Sequence, residues 1–196
     1  MINFQLILLA AGGSARMGRP KQLLPWRNEL LIGHQIKKLM KTGYPLNVVL
    51  GASADKIIPV VEEYNVKIII NDEWEEGMAS SINSGIKSII KNYPATDAVL
   101  IALLDQPLIT TEHFLKLLHT FQTKKDQIIV SVSDTGWEGV PVVFDRCYFN
   151  ELQKLNGKEG AKKLIQTFRG NVKRINSLDP LDDVDTPEDY QRMLNR

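Results

Sequence analysis

Three short stretches of this chain gather residue types that could do chemistry. In the first, an apolar run stops at Ala10-Ala11-Gly12-Gly13-Ser14, and three cations follow closely, Arg16, Arg19 and Lys21. Glycines let backbone N–H groups approach anionic oxygens, and Arg16 and Lys21 add positive charge at two separated points. That pattern suits a triphosphate. In the second stretch, Leu104-Asp105-Gln106-Pro107, a carboxylate stands at the end of an apolar run that the proline terminates. The third, Asp182-Asp183-Val184-Asp185-Thr186-Pro187, concentrates carboxylates ahead of a helix start. A plainer reading exists for each. The loop could be a glycine turn with cations in water. The late acids suit a helix dipole behind a Thr186 cap with Pro187 at the first helical position. Asp105 lies too far upstream to cap the helix that begins near Thr111.

Composition narrows the partners. The chain has 196 residues, 43% hydrophobic and 24% charged, with 24 Lys+Arg against 23 Asp+Glu. A net charge of +1 argues against a broad nucleic-acid or anionic-membrane surface, so any anion must be gripped locally. The apolar stretches Leu6–Ala11 and Ala98–Leu104 are too short to span a bilayer, and no signal peptide is evident. Cys147 is the only cysteine, which excludes an intrachain disulfide and a cysteine-cluster metal site. A cytoplasmic location is expected. His34, His113 and His119 are scattered, which does not favour a histidine metal site.

The elements that must position these residues alternate. Continuous apolar runs at Phe4–Ala10, Asn47–Leu50, Val66–Ile70, Ala98–Leu103 and Ile128–Val132 read as strands covered on both faces. Helical patterns lie between them at Leu30–Lys41, Ala54–Tyr64 with Ser53 as cap, Ser80–Lys91, and Thr111–Gln122 with Thr110 as cap. The final third adds a strand at Val140–Phe144, where Pro141 favours an edge or a bulge. Helices at Tyr148–Leu155 and Ala161–Phe168, a strand at Asn171–Ile175 and a helix at Pro187–Leu194 close the chain. This rhythm predicts one α/β domain over 1–196, a Rossmann-like three-layer fold around a mostly parallel sheet. Ligands of such sheets sit beyond the carboxyl ends of the strands. The glycine loop is therefore well placed, and no helix is expected directly after Pro20. Gly77-Met78-Ala79-Ser80-Ser81 opens a helix whose free N–H groups and serine hydroxyls suit either capping or an anion.

Two familiar phosphate loops fail here. G-x-G-x-x-G is broken by Ala15, and the Walker pattern gives Arg19-Pro20 where Lys-Ser/Thr is required. What fits is A-A-G-x-S-x-R-M-G-x-x-K. This stretch resembles the signature of the MobA-like nucleotidyltransferases, particularly the molybdenum cofactor cytidylyltransferase branch, and Leu23-Leu24-Pro25-Trp26 resembles that branch too. The resemblance runs from the first strand to the Asp-Thr-Pro helix and implies a nucleotide-diphospho-sugar transferase type of fold. It also implies that Ala10, Ala11, Gly12, Gly13, Ser14, Gly77 and Ser81 bind the nucleotide. Arg16 and Lys21 would contact phosphates, and Asp105, in a D-x-P motif, would bind Mg2+. For a second metal ligand the resemblance leaves Asp183 and Asp185, of which Asp185 is preferred.

The implied reaction moves CMP from CTP to the terminal phosphate of molybdopterin and releases pyrophosphate. A molybdenum hydroxylase or its maturation factor is the implied protein partner. Two departures touch the acceptor side. Gly139-Val140-Pro141 stands where the family often has G-H-P, and Lys158 and Lys162 stand in a G-D-x-G-A-R segment. A nucleotidyltransferase activating a sugar phosphate or another phosphorylated metabolite therefore remains open, as does a non-catalytic module that binds or delivers the molybdenum cofactor. Trp26, Trp74 and Trp137 lie near the proposed ligand loops and are expected to pack at the crevice rim.

Overall fold

The computed structural model describes residues 2–157 and 160–196, so Lys158 lies outside the described residues. The strands are β1 (Phe4–Leu9), β2 (Pro25–Trp26), β3 (Glu29–Leu30), β4 (Leu46–Leu50), β5 (Lys67–Ile70), β6 (Ala98–Leu103), β7 (Ile128–Val132), β8 (Glu138–Asp145) and β9 (Val172–Asn176). Seven of them form one sheet in the order β5-β4-β1-β6-β8-β7-β9. All pairings in it are parallel except those of β8, which runs antiparallel to both neighbours.

The helices are α1 (Leu31–Met40), α2 (Ala54–Val61), α3 (Met78–Asn92), α4 (Thr111–Thr120), α5 (Phe149–Leu152), α6 (Lys162–Thr167) and α7 (Pro187–Leu194). Strand alternation splits the core in two. Leu6 and Leu8 face a layer containing Ile36, Phe114, Leu117 and Tyr190. Ile7 and Leu9 face one containing Ile82, Ile86, Phe149 and Leu164. β1 is buried along its whole length, as its apolar run requires.

The order of strands fixes where a ligand can sit. After β1 the chain passes to β4 and β5 on one side, then returns to place β6 on the other. The crevice between the ends of β1 and β6 is thus the point where strand order reverses. Both the glycine loop and Asp105 emerge there.

Several expectations need correction. Pro141 is not at an edge: β8 lies between β6 and β7. The bulge is real, since Ser131 opposes Gly139 while Val130 opposes Val142. Val140 and Pro141 drop out of the ladder there, at a point where no N–H is demanded of the proline. Ser53 does not cap α2; it sits at φ 54 with no side-chain capping bond. That helix ends at Val61, short of Tyr64. The helix expected over Tyr148–Leu155 is a 3-10 turn at Arg146–Tyr148 and the four-residue α5. A 3-10 turn, Lys21–Leu23, does follow Pro20 directly. Thr110 and Thr186 cap α4 and α7 as expected, the latter in a capping box with Asp189.

Candidate active site at the β1–β6 crevice

Ala10 and Ala11 prolong β1 towards β4, with Ala10 N–H donating to Val49 O at 2.9 Å and Ala11 O accepting from Ala52 N–H at 3.0 Å. Beyond them the loop is pinned from within. Gln22 is buried in the 3-10 turn, and its Nε2 donates to Ala10 O at 2.7 Å and to Gly12 O at 3.1 Å. Ser14, at φ 53, accepts the Lys21 N–H on its Oγ at 3.0 Å. The loop therefore curls back and carries Lys21 to the end of β6.

There Lys21 Nζ donates to Asp105 Oδ2 at 2.7 Å, to Val184 O at 3.1 Å and to Asp185 Oδ1 at 3.3 Å. Arg16 Nη2 lies 2.8 Å from the other oxygen of Asp185. Burial alone would lower the Lys21 pKa, but Asp105 first and Asp185 second outweigh it, and the ammonium is held above its ordinary value. Arg16 is far more exposed than Lys21, 68% against 12% of the side chain, so it is the easier of the two to redirect.

Asp105 is held by its backbone. Gln35, buried on α1, donates through Nε2 to Leu103 O, Leu104 O and Gln106 O at 2.9, 3.1 and 3.1 Å. Asp105 O accepts Val184 N–H at 2.7 Å, which ties the late acidic segment to the strand end. Asp105 Oδ1 is buried without a hydrogen-bond partner. Asp183 sits beside this group. Desolvation, then the Asp105 and Asp185 carboxylates, push its carboxyl up to about 7, although the residue is exposed at the crevice rim and water screens part of that effect. The donor set is carboxylate oxygen, which fits a hard divalent cation such as Mg2+ or Mn2+, and the unpartnered Oδ1 is an acceptor such an ion could use.

A cavity of about 490 Å³ opens beside this group, a size that holds a nucleotide. Ala10, Ala11, Gly12, Gly13, Arg16, Lys21, Gly77, Ser81 and Asp105 all line it. Ser14 and Asp185 do not; the first braces Lys21 from behind and the second reaches the cavity only through Lys21 and Arg16. Gly77 has φ 108 and ψ −170, a backbone that favours glycine, and it precedes α3 directly. Ser81 is held by Asn71 Nδ2 at 3.0 Å, and the same amide donates to Ser80 Oγ at 2.9 Å. Ser80 is turned away, donating to Glu73 O and Gly77 O. Trp74 lines the cavity, its ring packed where a Cβ on Gly13 would lie 3.0 Å away. Trp26 instead is fully in the core, 1% exposed, and Trp137 stands out at 46%.

The segments around Gly139 and Gly157, which the resemblance assigns to the acceptor, are only partly gathered. Gly160, at φ 57, packs on Met78, and Gly157 O accepts Ala79 N–H at 3.3 Å, so this loop leans on the start of α3. Lys162 and Lys163 are exposed. Sequence reasoning missed Gln22, Gln35 and Asn71. The two glutamines are buried because carbonyl oxygens need their N–H groups, and Asn71 because two serine hydroxyls do.

The architecture is the nucleotide-diphospho-sugar transferase fold. The MobA-like NTP transferase domain model matches residues 6–174, and the chain belongs to that family. A solved homologue of Rv0371c from Mycobacterium sp. strain JC1 is 32% identical with a TM-score of 0.87, covering 98% of this chain and 95% of its own. The Mycobacterium tuberculosis Rv0371c structure in complex with manganese is 26% identical, TM-score 0.81, with 100% and 99% covered. The nicotine blue oxidoreductase of Paenarthrobacter nicotinovorans is 29% identical over 96% of this chain and 95% of its own length. The molybdenum cofactor cytidylyltransferase of Escherichia coli is 24% identical over 97% and 95%. Among the described residues no helix is long and apolar enough to cross a membrane.

Proposed function

We propose that this protein transfers CMP from CTP to the terminal phosphate of a molybdopterin-type cofactor and releases pyrophosphate. The observation that carries the reading is the Lys21–Asp105–Asp185–Arg16 cluster at the mouth of a nucleotide-sized cavity, where two carboxylates hold two cations in place. The likeness to the Escherichia coli cytidylyltransferase supports the choice of base and acceptor.

In this reading the triphosphate enters along the loop from Gly12 to Lys21. Its oxygens compete with Asp105 and Asp185 for Lys21 and Arg16, and those cations turn from carboxylate to phosphate. Asp105 and Asp185 are then free to hold Mg2+, which when bound supplies positive charge against the triphosphate and the reacting phosphoryl group. An anionic oxygen of the acceptor phosphate attacks the α-phosphorus in line, and the bond to the bridging oxygen of pyrophosphate breaks. The attacking oxygen is already deprotonated, so no general base is needed. Lys21 and Arg16 take up the charge that collects on the departing pyrophosphate, and alignment does the rest.

The test is pyrophosphate release with each of four NTPs against molybdopterin and a panel of sugar phosphates. Release with CTP and molybdopterin alone supports the proposal. Release with a sugar phosphate instead moves the acceptor while keeping the class, and the exposed Lys162 and the bulged Val140-Pro141 are where such a difference would be read.

A further inference from the structure

A second cluster of ionisable side chains lies at the opposite end of the sheet. β8 runs against β6, so Asp145 pairs with Ala98 at the first residue of β6, whereas Asp105 follows its last. At about 3.3 Å per residue the two ends are roughly 20 Å apart. Asp145 there meets Cys147 and Asp126, and one donor atom from each lies within 4.8 Å of the other two.

The surroundings fix these groups in place. Asp126, at φ 48 in the turn before β7, has its carbonyl held by Tyr148 Oη at 2.6 Å and Asn171 Nδ2 at 2.9 Å. Asp145 is 8% exposed, and its Oδ1 accepts Cys147 N–H at 3.1 Å. Its Oδ2 is buried with no partner. Neither Asp126 nor Asp145 forms an ion pair with any described residue. Arg146, between Asp145 and Cys147, spends its guanidinium on Pro94 O at 2.7 Å and Thr96 O at 2.9 Å, and Lys124 and Lys125, which precede Asp126, are exposed. A buried carboxylate oxygen left without a donor is costly, and Asp145 carries one here, beside a thiol and the exposed carboxylate of Asp126.

We infer that Asp126, Asp145 and Cys147 form a binding site for a thiophilic divalent cation of the zinc class, separate from the nucleotide site. One sulfur with two carboxylate oxygens favours zinc or cadmium over magnesium, which the all-oxygen group at Asp105 suits. Bonds of about 2.3 Å to sulfur and 2.1 Å to oxygen place tetrahedral donors about 3.6 Å apart, so closing the present spacing takes a shift of about 1 Å. Water completes the shell from the depression of about 440 Å³ onto which Asp145 and Cys147 face. The bound ion would clip the turn before β7 to the junction of β8 and α5.

The test titrates Cd2+ into metal-free full-length protein and follows the ultraviolet charge-transfer band of a cadmium–thiolate bond. One equivalent should develop the band in the wild type and in Asp105→Asn, with excess Mg2+ failing to suppress it and Zn2+ competing it away. Cys147→Ser should abolish it, and Asp145→Asn and Asp126→Asn should each weaken binding about tenfold or more. Asp126 is exposed, so its variant reports even if Asp145→Asn fails to fold. No band in the wild type overturns the inference. So does unchanged affinity in both aspartate variants, since the thiol would then bind cadmium alone. None of these outcomes depends on CTP chemistry.

Discussion

Asp105→Asn separates chemistry from architecture in this site. The variant keeps the backbone bonds that hold the segment, the three carbonyls clamped by Gln35 and the 2.7 Å bond from Val184 N–H to residue 105. Lys21 exchanges its 2.7 Å carboxylate partner for a neutral amide oxygen and keeps Asp185 at 3.3 Å and Val184 O at 3.1 Å, so its ammonium is not stranded. Asp105 also carries a buried oxygen without a partner, and removing its charge relieves that burden. These terms offset, and global stability should change by about 1 kcal/mol or less. Turnover is another matter. Loss of a metal-holding carboxylate costs several kcal/mol of transition-state stabilisation, roughly 100-fold or more in rate. The assay pairs Mg2+-dependent pyrophosphate release with urea denaturation of the same preparation. Near-normal release with an unchanged denaturation midpoint would refute the metal assignment. A rate loss matched by a large stability loss would make Asp105 an architectural residue.

Three more outcomes follow from the geometry. Lys21→Ala and Arg16→Ala should weaken CTP far more than CMP in calorimetric titration, since charge-assisted bonds to phosphate contribute about 1.5–3 kcal/mol each; equal weakening would place these side chains on the base or the fold. Lys38 donates to Pro107 O and Ile109 O at 2.7 Å each, and burial lowers its pKa to about 7. The unfolded chain then binds more protons than the native one between about pH 7 and 10.5, so wild-type stability should rise with pH across that window, and Lys38→Met should flatten the rise in denaturation midpoints. Ala11 lines the cavity, its methyl beside Gly51, and its deletion in Ala11→Gly should erode a wild-type preference for CTP over GTP by about 1–3 kcal/mol in competition binding; a wild type that favours GTP would overturn the cytidylyl reading and leave the family standing.

What the sequence revealed follows a physical division. Strands buried on both faces announce themselves as apolar runs, so β1 and β6 were legible to within a residue or two, and with them the crevice they bound. Charged residues placed at strand ends were legible for the same reason, because a carboxylate after a buried strand has few bland uses. Pro141 was half legible: its missing N–H demanded an irregular register, but nothing local said that β8 would insert between β6 and β7. The short helix after Tyr148 was misread because its apolar residues are recruited by the core, Tyr148 against Phe168 with ring centroids 5.1 Å apart, without a longer helical ladder.

The glutamines were the hardest to see, and they explain how the charged cluster is positioned. Gln22 and Gln35 are each about 1% exposed, yet between them they take up five carbonyl oxygens from the segments that carry Lys21 and Asp105. A carbonyl that leaves a strand ladder inside a core needs a donor, and a side-chain amide at the right reach supplies two N–H groups without adding charge. Adding a charge there would compete with the pairing of Lys21 to Asp105. A neutral clamp thus fixes the backbone while leaving the ionic contacts free to exchange when phosphate arrives. Sequence spacing cannot express this relation, because the carbonyls served lie up to 71 residues from the amide that serves them.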